Sequence, residues 1–287
     1  MIPEYSIHAQ NAELQNKPFE GMFDCKCYTS QGRVNPMHFH TCYSMEIMLH
    51  GRMDYINSGF SVSSDTPIIL MSFPFMPHSL HAWEDTEYQR YVLYAYPELI
   101  DRFAAQYIDI DRLKNVNLIW AKPCVSAFEQ VTLLCRQLEL TKDKTIAALL
   151  LSVFMQILLG EVDAGRGEIV RMPRPYINDI LKELADSLDS PPSIDDVCRR
   201  VGVGRSKLQR DFKAVTGTTW HHHLTTIRMV RARELLLDGD SILHTSLACG
   251  YSSESHFIMA FRKYYGETPG EVLCRAKEHD SFLGEKP

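Results

Sequence analysis

The spacing of apolar residues changes from one period to another along this chain, and this change constrains the fold more than any other feature. Residues 20–97 contain short apolar runs between turn signals, such as Ser44–His50 and Pro67–Phe73. Many short strands at close spacing favour an all-β sandwich or barrel. From residue 125 onward the spacing is helical. The 287 residues are also near twice the usual length of one domain. The sequence therefore predicts an α+β protein of two domains.

Two consecutive apolar helices are predicted within residues 125–160. The second contains the run Ile146–Leu159 and is apolar nearly all round, which favours burial on two sides. The run is shorter than the ~20 residues of a membrane span and includes Ser152 and Gln156, so we expect no membrane partner. This helical hairpin either packs on the barrel alone or also contacts a second copy of the chain. We expect a homodimer formed through it.

The segment that follows the hairpin is rich in glycine, proline and charge (GEVDAGRGEIVRMPRP, 160–175). Such composition is typical of an interdomain linker. We predict a barrel-and-hairpin domain over residues 1–160, a linker over 161–175 and an all-α domain over 176–280.

Charge is distributed unevenly between the two halves. The whole chain has 30 basic and 36 acidic side chains, a net charge of −6 that by itself argues against binding nucleic acid through bulk charge. Between Arg199 and Arg233, however, nine basic residues accompany a single acid, Asp211. Because a solvated helix face usually mixes both signs, this stretch is a candidate phosphate-binding surface.

Turn signals divide the C-terminal half into two helix–turn–helix units. In the first, Gly202-Val203-Gly204 forms a tight turn and a basic helix begins at Arg205. In the second, about fifty residues later, the helix after the turn covers Ser252–Tyr265. A long helix over Thr219–Leu237 joins the units. Two units held by one helix can enter successive major grooves, about 34 Å apart.

Three segments carry a specific resemblance: R-M-V-R-A-R-E-L-L (228–236), I-L-H-T-S-L-A-C-G-Y-S-S-E-S-H-F (242–257) and F-R-K-Y-Y-G-E-T-P-G (261–270). Over Ile177–Arg275 the chain resembles the AraC/XylS family of bacterial transcription regulators. The resemblance implies a DNA-binding domain of seven helices fused to a separate sensory or dimerisation domain.

The chain departs from the family pattern at some positions. Gly204 stands where the family usually has a serine or threonine cap, and Met259 where an arginine is common. We therefore expect the first unit to make most DNA contacts, while Arg231 and Arg233 either contact DNA or pair within the domain. Arginine and glutamine suit guanine and adenine edges. The expected DNA-contacting residues are Arg205, Ser206, Lys207, Gln209, Arg210, Lys213, Ser252, Ser253, Glu254, Ser255 and His256.

A second resemblance lies in the N-terminal half. The segments Pro36–His40 and Pro77–His81, an H-x-H followed by a later P-H, resemble the cupin barrel, the sensory domain in one large branch of the AraC family. Metal-binding cupins use such histidines with a nearby Glu, which implies the set His38, His40, Glu46 and His78. Glu46 lies two residues beyond the expected position, so we predict no metal or other cofactor and keep the metal site as an alternative. The expected ligand-binding residues are His38, His40, Tyr43, Glu46, His78, Trp83 and Tyr94.

These patterns predict a cytoplasmic transcription factor and not an enzyme. Eight cysteines without a C-x-x-C pair indicate reduced thiols, and no signal peptide is visible at the N-terminus. The expected partners are double-stranded DNA, a small effector such as a sugar, a second copy of the chain and RNA polymerase. Two alternatives stay open: a metal-dependent cupin enzyme with a DNA-binding tail, and a DNA-binding dimer without an effector.

Overall fold

The structure is a computed structural model that describes residues 23–275 except 33, 41, 58–59, 84–86, 103–105 and 173. The outer parts of the predicted domains, 1–22 and 276–280, lie outside the described residues. The chain divides into two compact units, and the boundary falls between Pro175 and Tyr176.

The N-terminal unit contains two antiparallel sheets, as the short apolar runs between turn signals predict. The larger sheet has the strand order β1-β8-β3-β6-β9-β10 and the smaller one β2-β7-β4-β5. Within the described residues the strands are β1 (Phe23–Gln31), β2 (Val34–His38), β3 (Tyr43–His50), β4 (Met53–Asn57), β5 (Phe60–Ser64), β6 (Ile68–Ser72), β7 (His78–Ala82), β8 (Glu87–Ala95), β9 (Val116–Ala121) and β10 (Gly167–Arg171).

The interior between the sheets has an apolar part and a polar part. Met48, Met53 and Leu80 belong to a fully buried apolar cluster. Polar side chains also join the sheets: the Tyr55 hydroxyl lies 2.5 Å from Ser72 Oγ, and Asn57 donates to Asn117 Oδ1 at 2.8 Å. Buried polar groups need hydrogen-bond partners, which a bound ligand can also provide. The polar part of the interior is therefore the candidate region for ligand binding.

Three helices accompany the sheets: α1 (Pro97–Arg102), α2 (Val125–Leu140) and α3 (Lys144–Asp163). The predicted hairpin is therefore present. Asp143 caps the N-terminus of α3, because its carboxylate accepts from the backbone N–H groups of Thr145 and Ile146. By length and composition alone α3 could cross a membrane, because its mean hydropathy is 2.0. However, half of this apolar segment is buried within the protein. Its contacts with α1, α2, β9 and β10 account for the buried half.

The interpretation of 161–175 as a linker is wrong. The first residues of this segment complete α3, and β10 pairs with β9, where Ile169 lies opposite Ile119. Glu161 accepts from Cys124 N at 2.8 Å and from Arg166 Nε at 2.6 Å, and so ties the end of α3 to the start of α2. The glycine and charged residues of this segment form a turn and an edge strand. Composition alone does not distinguish these from a linker.

Helices and short turns form the C-terminal unit. Thr219 caps the joining helix, and Ser193 and Ser241 cap the first helix of each helix–turn–helix unit. The last helix of the second unit begins at Glu254, two residues later than predicted. The helices are α4 (Pro175–Asp186), α5 (Ile194–Val201), α6 (Arg205–Thr216), α7 (Trp220–Leu237), α8 (Ile242–Ala248) and α9 (Glu254–Tyr265), followed by helical residues 269–275.

Helix α7 holds the second unit through a polar anchor. Arg228 donates to the Leu188 carbonyl at 2.9 and 3.2 Å, and its guanidinium lies 5.6 Å from the centroid of the Tyr251 ring. Gly250 lies beside this anchor with a φ of +71°, and a Cβ there would be 2.4 Å from the Leu188 oxygen. The turn of the second unit therefore requires glycine.

Candidate functional site

The first candidate site is the exposed face of α6. The helix follows a turn in which Gly202 has a φ of +69°, and Gly204 begins it without a side-chain cap. Leu208 and Phe212 are fully buried. This burial leaves the opposite face to solvent. The residues of this helix that are expected to contact DNA are all exposed: Arg205, Ser206, Lys207, Gln209, Arg210 and Lys213.

Most cations of the basic stretch are paired within the unit. Arg205 lies 3.2 Å from Asp195, and Lys207 2.5 Å from the buried Asp211. For Arg231 and Arg233 the sequence left two alternatives, contact with DNA or pairing within the domain. In the structure Arg231 pairs with Glu234, and Arg233 pairs with Glu267. Two further pairs are Arg199 with Asp196 and Arg200 with Glu183.

Arg210 and Lys213 differ from these cations. Neither forms an ion pair with any residue that the structure describes, and both are exposed on α6. They lie three residues apart and therefore on neighbouring positions of one helix face. An unneutralised pair of this kind is suited to phosphate or to guanine edges.

The second unit presents a different surface. The predicted contact residues Ser252, Ser253, Glu254, Ser255 and His256 are all exposed. Ser253 also caps α9, because its side chain accepts from the His256 N–H. The first turn thus carries one acid and no lysine or arginine. The cations of α9, Arg262 and Lys263, lie in its last turn, and Met259, one turn before Lys263, is 65% exposed.

The second candidate site is a histidine cluster between the sheets. His38, at the end of β2, lies opposite His78 at the start of β7. Their ring centroids are 4.5 Å apart, and that of His40 lies 4.8 Å from His38. One ring nitrogen from each of the three lies within 4.8 Å of the others. The sequence prediction that these three side chains converge is correct.

Burial keeps two of these rings neutral. It lowers the pKa of His78 to about 4, and together with the neighbouring His38 it holds the pKa of His40 well below its ordinary value. His78 Nδ1 lies 3.0 Å from the Met76 carbonyl. The Nδ1 of His40 and the Nε2 of His78 are buried and have no hydrogen-bond partner among the described residues. Such atoms are available to a ligand.

Glu46 does not complete a set of metal ligands. Its carboxylate accepts from Arg90 Nη1 in a buried ion pair. Burial opposes the charge of Arg90. The neighbouring Glu46 carboxylate outweighs this effect and holds the pKa of Arg90 above its ordinary value. Tyr94 does lie at the cluster, edge-on to His40 with centroids 4.8 Å apart.

Two predicted ligand-binding residues lie elsewhere. Trp83 donates to Asp54 and stacks on His81, on the outer face of the small sheet. Tyr43 packs against Phe73 and alternates along β3 with Ser44, so it faces away from the space between the sheets. An isolated aromatic residue near a strand end gives no indication of which face it occupies.

Sequence reasoning missed Tyr55 and Arg90. The Tyr55 ring stacks on His78 at 5.6 Å and 16°. Arg90 stands in β8 at the same alternation as Tyr88 and Tyr94. A charged residue in the inward register of a buried strand is the signal that would have identified it.

Comparisons with known proteins agree with this geometry. A family profile described as "Helix-turn-helix domain" matches residues 197–275. The chain is 31% identical over 109 residues to the HTH-type transcriptional regulator ArgR of Pseudomonas aeruginosa, covering 38% of this chain and 33% of that protein. It is 26% identical over 261 residues to the HTH-type transcriptional activator RhaS of Escherichia coli O139:H28, covering 86% of this chain and 90% of that protein.

A solved structure of ToxT from Vibrio cholerae has the same two-domain fold. The TM-score is 0.55 at 17% identity, over 88% of this chain and 98% of that chain. At this identity the likeness concerns the fold alone.

Two helix–turn–helix units joined by one helix, with a basic exposed face on the first, define a DNA-binding transcriptional regulator. The DNA-binding unit is an AraC-type helix–turn–helix domain, and a cupin-like unit of two sheets precedes it.

Proposed function

We propose that this regulator contacts operator DNA mainly through α6, and that a small effector bound at the histidine cluster controls it in the cytoplasm. The observation that carries the DNA contact is the unpaired, exposed pair Arg210 and Lys213. Ser206 and Gln209 on the same face are the further base contacts that we propose. The first turn of α9 supplies weaker contacts, and RNA polymerase is a second macromolecular partner.

Replacement of Arg210 tests this assignment. Arg210→Ala weakens operator binding by about 1–3 kcal/mol and relaxes the preference at one base pair if the guanidinium contacts a base. The operator is first selected from random-sequence DNA with the full chain, and affinity is then measured by titration at several salt concentrations.

Arg199→Ala is the matched control. Arg199 is also an exposed arginine of the first unit, but it lies on α5 and pairs with Asp196. It is expected to change affinity much less. If the two variants lose the same affinity without any change in base preference, bulk charge accounts for binding and the assignment of Arg210 is wrong.

The histidine cluster suits an uncharged ligand that carries hydroxyl groups, such as a sugar. Arg90 is matched by Glu46, and His40 and His78 are neutral, so a ligand charge would find no free counter-charge among the described side chains. The unpartnered ring nitrogens and Ser44 Oγ provide hydrogen-bonding positions for hydroxyl groups.

Thermal unfolding in the presence of a panel of probes tests the effector class. Neutral monosaccharides and polyols are compared with sugar acids of the same size, because a ligand that binds only the native state raises Tm. His78→Phe is expected to abolish the response. The control His81→Phe, on the outer face of the same strand, is expected to retain it. Stabilisation by the sugar acids alone would overturn the proposed class.

A second copy of the chain is the proposed partner of α3. Ile146, Leu149 and Val153 form an exposed apolar stripe on this helix, at 50%, 43% and 47% exposure. They follow helical spacing and lie opposite the face that packs on the sheet. Burial of this stripe against its own copy would remove apolar surface from water.

Leu149→Glu is expected to convert the dimer into a monomer, as measured by sedimentation velocity. Leu243→Glu changes a leucine of comparable exposure on α8 and is expected to leave the dimer intact. A wild-type chain that is monomeric at micromolar concentration would contradict the proposal.

A metal-binding role for the cluster is the alternative that the geometry also favours. Three imidazoles within 4.8 Å suit zinc, iron or manganese, and the orphaned nitrogens of His40 and His78 fit such an ion. When bound, the ion would act as a Lewis acid. Metal analysis of the purified protein distinguishes the two: a stoichiometric ion lost in His40→Ala supports a metal site, and its absence supports the hydroxyl ligand.

A further inference from the structure

Asp211 is the single acid of the basic stretch, and it is only 1% exposed on α6. Its Oδ2 accepts from the Tyr176 hydroxyl at 2.5 Å and from Lys207 Nζ at 2.5 Å. The ammonium also lies 6.0 Å from the centroid of the Tyr176 ring. A buried carboxylate without partners is costly. The Tyr176 and Lys207 donors, which share Oδ2, are therefore energetically coupled.

This pair differs from the other ion pairs of the first unit. Asp195, the partner of Arg205, has a side chain that is 63% exposed. Water replaces the arginine there at little cost. Lys207 can leave Asp211 for a DNA phosphate only by removing a donor from a buried charge. The Tyr176 hydroxyl lowers that cost, because it continues to satisfy Oδ2.

We propose that Tyr176 and Asp211 are positioning residues that set how readily Lys207 binds a DNA phosphate. Tyr176 is the first residue of the DNA-binding unit and directly follows Pro175, the last residue of the preceding unit. The hydrogen bond from the Tyr176 hydroxyl connects this boundary to α6. The proposal rests on the proposed contact between α6 and DNA.

The two positioning residues act in opposite directions. Tyr176→Phe removes one donor, so Asp211 holds Lys207 more strongly. Operator affinity falls about three- to tenfold, and the salt slope falls by about 0.9, the value of one phosphate contact. Asp211→Asn removes the charge that retains Lys207, so affinity and salt slope both increase.

The Lys207→Met background separates positioning from a merely structural role. In that background Tyr176→Phe has no further effect on affinity or on the salt slope if it acts through Lys207. Equal losses with and without Lys207 would overturn the proposal. Thermal unfolding identifies variants that fail to fold. Because Asp211 is buried, Tyr176→Phe carries the test if Asp211→Asn unfolds.

The result for Arg210 distinguishes this proposal from the DNA contact itself. If Lys207→Met leaves binding unchanged while Arg210→Ala weakens it, the contact by α6 stands and the positioning role fails. If neither changes binding, both fail. If Lys207→Met weakens binding but Tyr176→Phe does not, Lys207 contacts DNA without control by Tyr176, and the positioning role is wrong.

Discussion

The exposed side chains of α6 were predictable one by one, because burial of Leu208 and Phe212 at helical spacing fixes which residues face water. The partners of the cations were not. Arg200 pairs with Glu183 of another helix, and such pairs depend on how helices pack. The histidines were found from their sequence motif. The pairing of Arg90 with Glu46 was not, because it depends on the register of β8 against β3.

His223 on α7 makes the stability of the DNA-binding unit sensitive to acid. Burial lowers the pKa of this side chain to about 3, from 6.5. Below pH 6.5 the unfolded chain binds a proton that the folded chain does not bind until about pH 3. The free energy of unfolding therefore falls as the pH drops through this window, by about 1.4 kcal/mol per pH unit, and the contribution vanishes above pH 6.5.

Denaturant unfolding of the wild type and of His223→Phe between pH 7 and pH 4 measures this effect. Phenylalanine retains the edge contact with Phe212 and removes the titration. Other titrating groups cancel in the difference between the two curves. The difference is expected to change by about 1.4 kcal/mol per pH unit below pH 6, and parallel curves would contradict the assignment.

At the scale of elements, the two helix–turn–helix units and the joining helix were predicted well, because the signals of such helices and turns are local. Thr219, Ser193 and Ser241 occupy N-caps. The error over 161–175 has the opposite origin. Strand β10 exists because it pairs with β9, and no local signal separates such an edge strand from a charged, glycine-containing linker. Helix α9 begins two residues later than predicted, because Ser253 is its N-cap.

Gly250 provides a test of how the turn of the second unit is held. Gly250 and Gly239 both have positive φ, but a Cβ meets no atom within 4 Å at Gly239 and meets Arg228 and the Leu188 oxygen at Gly250. Gly239→Ala is expected to cost about 1 kcal/mol for the strained φ alone. Gly250→Ala is expected to cost about 1–3 kcal/mol more, because the Arg228 anchor must shift. Chemical denaturation measures both, and equal costs would show that the close approach is accommodated.

At the scale of the whole molecule, the net charge of −6 conceals how the cations are arranged. The excess of acids lies before residue 173, and the later half is neutral overall. Within that half, internal pairing leaves Arg210 and Lys213 unneutralised on α6, while α9 has its cations in its last turn only. The two units therefore offer DNA different surfaces, and their half-sites are expected to contribute unequally to affinity.

The spacing of the two half-sites follows from α7. Because one continuous helix of 18 residues joins the units, we expect them to enter grooves at one fixed separation, about one helical turn of DNA. Insertion of 5 base pairs between the half-sites turns the second onto the opposite face, and insertion of 10 restores the face but not the distance. We expect both insertions to reduce affinity to that of the first half-site alone, as measured by titration and footprinting. Recovery with 10 base pairs would mean that the half-sites are bound by separate copies of the chain, so that α7 does not set the spacing.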